Sequence, residues 1–276
     1  MKQSMKRMRD GDMNFSENPQ LNIMEVLVRK AMNPFRFAFG DLEQTLVTKE
    51  GGAEQATEVN DKLLKFFRKE ISEKYAQEAA VVMYGDDTDI PATGAVWVAH
   101  SCGSLVNLSH GNEDVCIYIA YVVDGKAESA VVLYPITNEI YAIEKGKGAR
   151  SRTRRLRVTG RDMLENSLVS VFSPITSTED DTKFLDAIRA VRAHKCHTRI
   201  SGNVIHDALS LSAAKLDAMV AMNLNPMDVL VAEFIIRESG GYTCEIDNST
   251  VEIGSTSIIA ANHKLQGKLL KVLATV

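Results

Sequence analysis

Val96 to Gly111 reads VWVAHSCGSLVNLSHG, and the fold is read outward from this stretch. Val96 to Cys102 is an apolar run of strand length. Upstream, Ala79 to Met83 is a second short apolar run that suits a strand and delivers the chain to a polar turn, Gly85-Asp86-Asp87. Downstream, Val115 to Val123 and Ser129 to Tyr134 read as a hairpin closed by a five-residue connection that begins Asp124-Gly125. Glu139 to Glu144 is a further strand, and the KGKGAR after it a glycine-punctuated turn.

Helices flank this strand-rich centre. Leu21 to Met32 places Leu21, Met24, Leu27, Val28 and Ala31 on one helical face, and Pro34 discourages its continuation. Thr57 to Lys74 does the same with Val59, Leu63, Phe66, Phe67 and Ile71. Toward the C-terminus, Ser167 to Phe172 reads as a strand, Lys183 to Arg192 as a helix, and Val204 to Met219 as a longer helix. Ala218 to Met222 is strand-like. A helix opens at Pro226 and Asp228 and ends near Ser239 at Gly240-Gly241. Ile258 to Ala261 is a strand, and His263 to Leu273 a final helix. Long alternating blocks of both kinds predict an α+β or layered α/β sandwich.

Composition bounds the function. A length of 276 residues accommodates one large domain or two closely packed halves, and 45% apolar with 25% charged residues is ordinary globular usage. A net charge of -4 makes no case for nucleic acid as the main partner. Cys102, Cys116, Cys196 and Cys244 lack a paired C-x-x-C spacing and read as reduced thiols of a cytoplasmic protein. No run approaches the roughly 20 apolar residues of a membrane span. Residues 1–18 are expected to form a basic, Met-rich mobile tail without a secretory h-region, with Met13 an alternative start.

Trp97, Val98, Asn107 and Gly111 stand in register with W-V-I-D-P-I-D-G-T-T-N-F-x-x-G, and the chain resembles the inositol monophosphatase family, its bacterial branch in particular. The likeness runs on through VTKEGGAEQATEVNDKLL, LYPITNEIYAIEKGKGARSRTRRLRVTG, RISGNVIHDALSLSAAKLDAM, NPMDVLVAEFIIRESGG and IIAANHKLQGKLL, so it covers residues 19–276. It implies a five-layer αβαβα sandwich of two closely packed αβ halves, usually a homodimer. It also implies Mg²⁺-dependent, lithium-sensitive hydrolysis of a small phosphate monoester, in which clustered metals activate water and steady the leaving oxygen.

The same resemblance shows what has changed. Asp86 stands at the first metal-binding Glu, one methylene shorter. His100 stands at a bridging Asp, and an imidazole ligates zinc, iron or nickel but suits Mg²⁺ poorly. Gly103 replaces a second Asp and offers no side chain, while Cys102 stands where the family lends a backbone carbonyl to the metal. Gly103, Ser104 and Leu105 occupy a phosphate-cradling turn whose backbone N–H groups can still hold an anion. Leu105 replaces the Thr that positions a water, and Asn60 the Asp that orients that Thr. Asp228 matches the last metal ligand, with helix capping as the competing reading. Ala221 replaces a substrate-binding Glu, Lys49 matches a supporting Lys, and Arg199, Gly202, Gly240 and Gly241 read as fold positions. His194, Cys196 and His197 make a weak zinc signal.

Two of four carboxylate ligands survive. The expectation is therefore no cofactor at high occupancy, and a catalytically impaired protein kept as a dimeric binding or regulatory protein with a protein partner. A phosphomonoesterase using a transition metal on Asp86, His100 and Asp228 is the second reading. A metal-free phosphate or anion sensor is the third.

Overall fold

A computed structural model describes residues 17–46, 52–75, 79–86, 89–152, 154–174 and 178–274. Lys49, Asp87 and nearly all of the expected tail lie outside the described residues.

Two sheets organise the described residues. Six strands, β1 (Ala80–Met83), β2 (Ala95–Gly103), β3 (Cys116–Val123), β4 (Lys126–Tyr134), β5 (Glu139–Glu144) and β6 (Gly148–Ser151), pair in sequence order. The second sheet holds β7 (Leu168–Phe172), β8 (His197–Arg199), β9 (Ala218–Ala221), β10 (Tyr242–Cys244) and β11 (Ile258–Ala261), in the order β10-β11-β9-β7-β8. Helices α1 (Pro19–Thr45) and α2 (Ala53–Tyr75) cover the outer face of the first sheet. The short α3 (Leu105–Ser109) follows β2, and α4 (Thr178–Ala193) and α7 (His263–Leu273) cover the outer face of the second sheet. Between the sheets lie α5 (Val204–Ser212) and α6 (Pro226–Glu238). The result is the expected αβαβα sandwich, with one apolar cluster for each helix layer: α1 and α2 on the first sheet, α5 and α6 in the middle, and α4 and α7 on the second. No described helix is long and apolar enough to cross a membrane.

Several local expectations are corrected. The first helix runs through Pro34 to Thr45. Pro34 is exposed, while Phe35, Phe39 and Leu42 continue the buried stripe. Burying those three, about 1.5–3 kcal/mol each, outweighs the roughly 3 kcal/mol of an interior proline. The β3–β4 connection is two residues, not five: Asp124 and Gly125 take φ of 48° and 71°, the left-handed pair of a tight hairpin turn. A register shift at Tyr121/Val122 absorbs the odd residue. Residues after the KGK turn form the edge strand β6 rather than loop. The helix expected over Val204 to Met219 stops at Ser212, because Ala214 takes φ 58° and Asp217 accepts from the Leu168 amide at 2.9 Å, starting β9 beside β7.

Candidate functional site

The site grows from the end of β2. His100 lies directly opposite Tyr118 of β3, and the register shifts between His100 and Gly103, so Ser101 and Cys102 sit in a bulge. Bulges of this kind re-aim side chains. The Gly103–Ser104 peptide is cis, and Ser104 caps α3 by accepting from the Asn107 amide at 3.4 Å.

Asp228, in the first turn of α6, reaches into this corner from the middle layer. Its Oδ1 accepts from the Tyr118 hydroxyl at 2.8 Å and lies 3.2 Å from His100 Nδ1. An ionised carboxylate only accepts, so in that state Nδ1 carries the proton. Tyr84 stacks on the His100 ring, centroids 3.7 Å apart and planes 4° off parallel, and Tyr118 meets its edge. Burial, then the Asp228 charge, pushes both tyrosine hydroxyls above their usual range. The capping role considered for Asp228 belongs to Asn225, whose Oδ1 accepts from the Met227 amide at 2.9 Å.

The other predicted positions are engaged elsewhere. Asp86, in the turn after β1, takes the Met83 amide on Oδ2 at 2.9 Å and the Arg68 guanidinium on Oδ1 at 2.5 Å. Asn60, at the position of the family's Thr-orienting Asp, accepts from Ser101 Oγ at 2.7 Å. Leu105 is 38% exposed. The Gly103 carbonyl accepts from Asn203 Nδ2 at 2.6 Å, and a Cβ at Gly103 would stand 3.5 Å from the His100 ring. Burial pushes the Cys102 thiol up to about 12, which leaves little nucleophilic thiolate. Ala221 is buried in the middle core.

Arg199 and Gly202 do serve the fold: Arg199 pairs with Asp114 at 3.0 Å, and Gly202 takes φ 74°. The zinc signal disperses. His194 Nδ1 donates to the Ala190 carbonyl, Cys196 Sγ to that of Leu164, and His197 sits exposed on β8. A cavity of about 180 Å³, lined by Asp114, Tyr134, Glu139, His206 and Lys215 among others, includes none of Asp86, His100, Gly103, Leu105 and Asp228.

A Mg²⁺ pair needs several oxygen donors converging without competitors. Here one Asp228 oxygen is shared by two internal partners, Asp86 is turned to Arg68, and Gly103 supplies nothing. Among the described residues, no group of three or more His, Cys, Asp or Glu side chains is placed to hold a metal ion. The donor set does not fit. Sequence reading missed Tyr84, Tyr118 and Arg68, because their part depends on strand register and helix packing rather than on a motif.

Comparison with known proteins places the chain. The model of the inositol monophosphatase family matches residues 19–276. The inositol-1-monophosphatase of Rhizobium meliloti is 24% identical over 253 residues, covering 92% of this chain and 95% of that one. The Nus factor SuhB of Pseudomonas aeruginosa is 26% identical over 259 residues, covering 92% and 96%. The crystal structure of the extragenic suppressor protein SuhB from Bartonella henselae superposes with a TM-score of 0.78 at 22% identity, covering 93% of this chain and all of that one. With the two-sheet architecture and the motif frame both present, this chain belongs to the inositol monophosphatase family.

Proposed function

We propose that this protein no longer hydrolyses phosphate esters by two-metal chemistry and acts as a homodimeric binding or regulatory protein of the family. The observation that carries the reading is the engagement of Asp228 by the Tyr118 hydroxyl and His100 Nδ1. Two divalent ions about 4 Å apart need bridging anions to offset their repulsion. Of the four carboxylate positions, only Asp86 and Asp228 keep an acid, and both already have internal partners. One relative is named as a Nus factor and not as a phosphatase, which supports a role for this fold outside hydrolysis. The four buried free thiols support a reducing compartment such as the cytoplasm.

Calorimetric titration with Mg²⁺, Mn²⁺ and Zn²⁺, paired with phosphate release from inositol and sugar monophosphates, tests this. We expect no saturable Mg²⁺ binding at cellular concentrations and no release above the blank. Turnover that disappears in Asp86→Asn or Asp228→Asn would overturn the reading in favour of an enzyme with altered metal use. Phosphate binding that survives chelator, without turnover, would instead favour a metal-free anion sensor. Rebuilding the acids with His100→Asp and Gly103→Asp should create a Mn²⁺-dependent rise in melting temperature that the parent lacks.

A further inference from the structure

We propose that the arginine-rich edge of the first sheet, residues 148–152 and 154–157, docks the phosphate backbone of a nucleic acid without sequence preference. Between Lys145 and Arg161 the chain carries eight Lys and Arg and no Asp or Glu. Set against -4 for the whole chain, those eight positive charges leave -12 for all other residues, so the overall sum conceals a local concentration.

The backbone arranges these charges. Leu156 N donates to the Ala149 carbonyl at 2.8 Å and Ser151 N to that of Arg154 at 2.9 Å, so the chain doubles back with Arg150 directly opposite Arg155. Ala149 and Leu156 are buried. Strand alternation then puts Arg150, Arg155 and Arg157 on the opposite face, with Arg152 and Arg154 exposed at the turn. Lys145, Lys147 and Arg161 are paired with Glu128, Glu144 and Asp217. Among the described residues no carboxylate pairs with Arg152, Arg154, Arg155 or Arg157.

Charged side chains on an edge strand also guard against unwanted strand addition. That purpose does not call for like charges directly opposite each other, which destabilise a hairpin. An anion beside Arg155 supplies a counter-charge on this face. Guanidinium forks match phosphate oxygens bidentately, and alternate strand residues recur every ~6–7 Å, which suits a repeating row of phosphates. Anionic lipid also attracts a basic patch, by about 1 kcal/mol per residue, but the hairpin presents none of the large exposed hydrophobics that would add insertion to that attraction. It has no aromatic residue on which bases could stack, so the contact is to the backbone.

Fluorescence anisotropy of the full-length protein with labelled RNA and DNA duplexes tests the proposal. Binding is expected in the micromolar range at ~50 mM salt and should weaken roughly a hundredfold by ~200 mM, as about four neutralised phosphates require. Replacing Arg152, Arg154, Arg155 and Arg157 together by Gln should abolish it. Arg152→Gln with Arg154→Gln, confined to the exposed turn, should weaken binding about tenfold and halve the salt slope. Replacing Lys62, Lys65 and Lys69 of α2 by Gln should change little. Thermal melts check that each variant folds. Binding of only one duplex type would name the source and uphold the proposal. It is overturned by no anisotropy change up to tens of micromolar protein at low salt, by unaltered binding in either arginine variant, or by capture on phosphatidylserine vesicles where neither duplex binds.

Discussion

The two middle-layer helices each carry an aspartate in the first turn, and the two carboxylates meet different fates. Asp207 of α5 and Asp228 of α6 are both buried, and neither caps its helix: Asn203 and Asn225 do. Both therefore lie in the positive field of a helix start. Asp228 also has the Tyr118 hydroxyl and His100 Nδ1. Asp207 receives Ser170 Oγ on Oδ2, while its Oδ1 has no hydrogen-bond partner. Burial pushes Asp207 up to about 6, with the Ser170 hydroxyl pulling the other way. The dipole is common to both, so the difference lies in the donors each helix meets across the layer. Where a strand delivers an imidazole and a phenol, the acid is satisfied without a metal.

The strongest way to break this comparison is Asp228→Ala. If Asp228 were one acid of a vacant metal cluster, removing it would relieve repulsion and raise stability. Satisfied as it is, its loss leaves the Tyr118 O–H and the His100 N–H buried without an acceptor. We expect a loss of about 3 kcal/mol, read from the urea midpoint at constant slope. An increase in midpoint would show that the acid is strained rather than held.

Asp207→Asn sharpens the other half, with a smaller and pH-dependent effect. The folded pKa of about 6 stands above the usual 3.8, so the fold favours the protonated form. The contribution is fully present below about pH 4, is lost as pH rises through 6, and remains as a constant penalty above that. An amide cannot ionise. The variant should gain on the order of 2 kcal/mol on the parent between pH 4 and pH 8. Denaturation across that range checks it, and a pH-independent difference would remove Asp207 as the cause.

How much of this could be read beforehand follows from range. The α2 stripe of Val59, Leu63, Phe67 and Ile71 and the apolar run of β2 are local, and both elements stand within a few residues of expectation. Pro34 misled because the burial that overrides it comes from the sheet beneath α1. The Gly148–Ser151 edge strand reads as a turn because its glycine, arginine and serine mimic loop composition. At the site, His100 and Gly103 are legible as departures from a motif and Asp228 as a match to it. Their new partners are not: Tyr118 meets Asp228 only through the β2–β3 register and the docking of α6. Asn60 and Leu105 are legible only as two losses from one family partnership, and no motif announces the Ser101 hydroxyl that Asn60 accepts beside the bulge in β2.

The smallest effect extends the same rule to the surface. Arg150 and Arg155 face each other across the edge hairpin as Tyr118 and His100 do across β2 and β3, but as two like charges. Water screens them, so the repulsion is weak where the buried contacts are strong. Arg155→Glu converts the repulsive cross-strand pair into an attractive one and should raise the melting temperature by about 1–2 °C at low salt, fading as salt is added. The same substitution should weaken duplex binding. A variant that melts higher and binds less would show that this edge is arranged for an anion at the expense of its own stability. Unchanged melting at low salt would mean the two guanidiniums already avoid each other, and the argument from their opposition would fall.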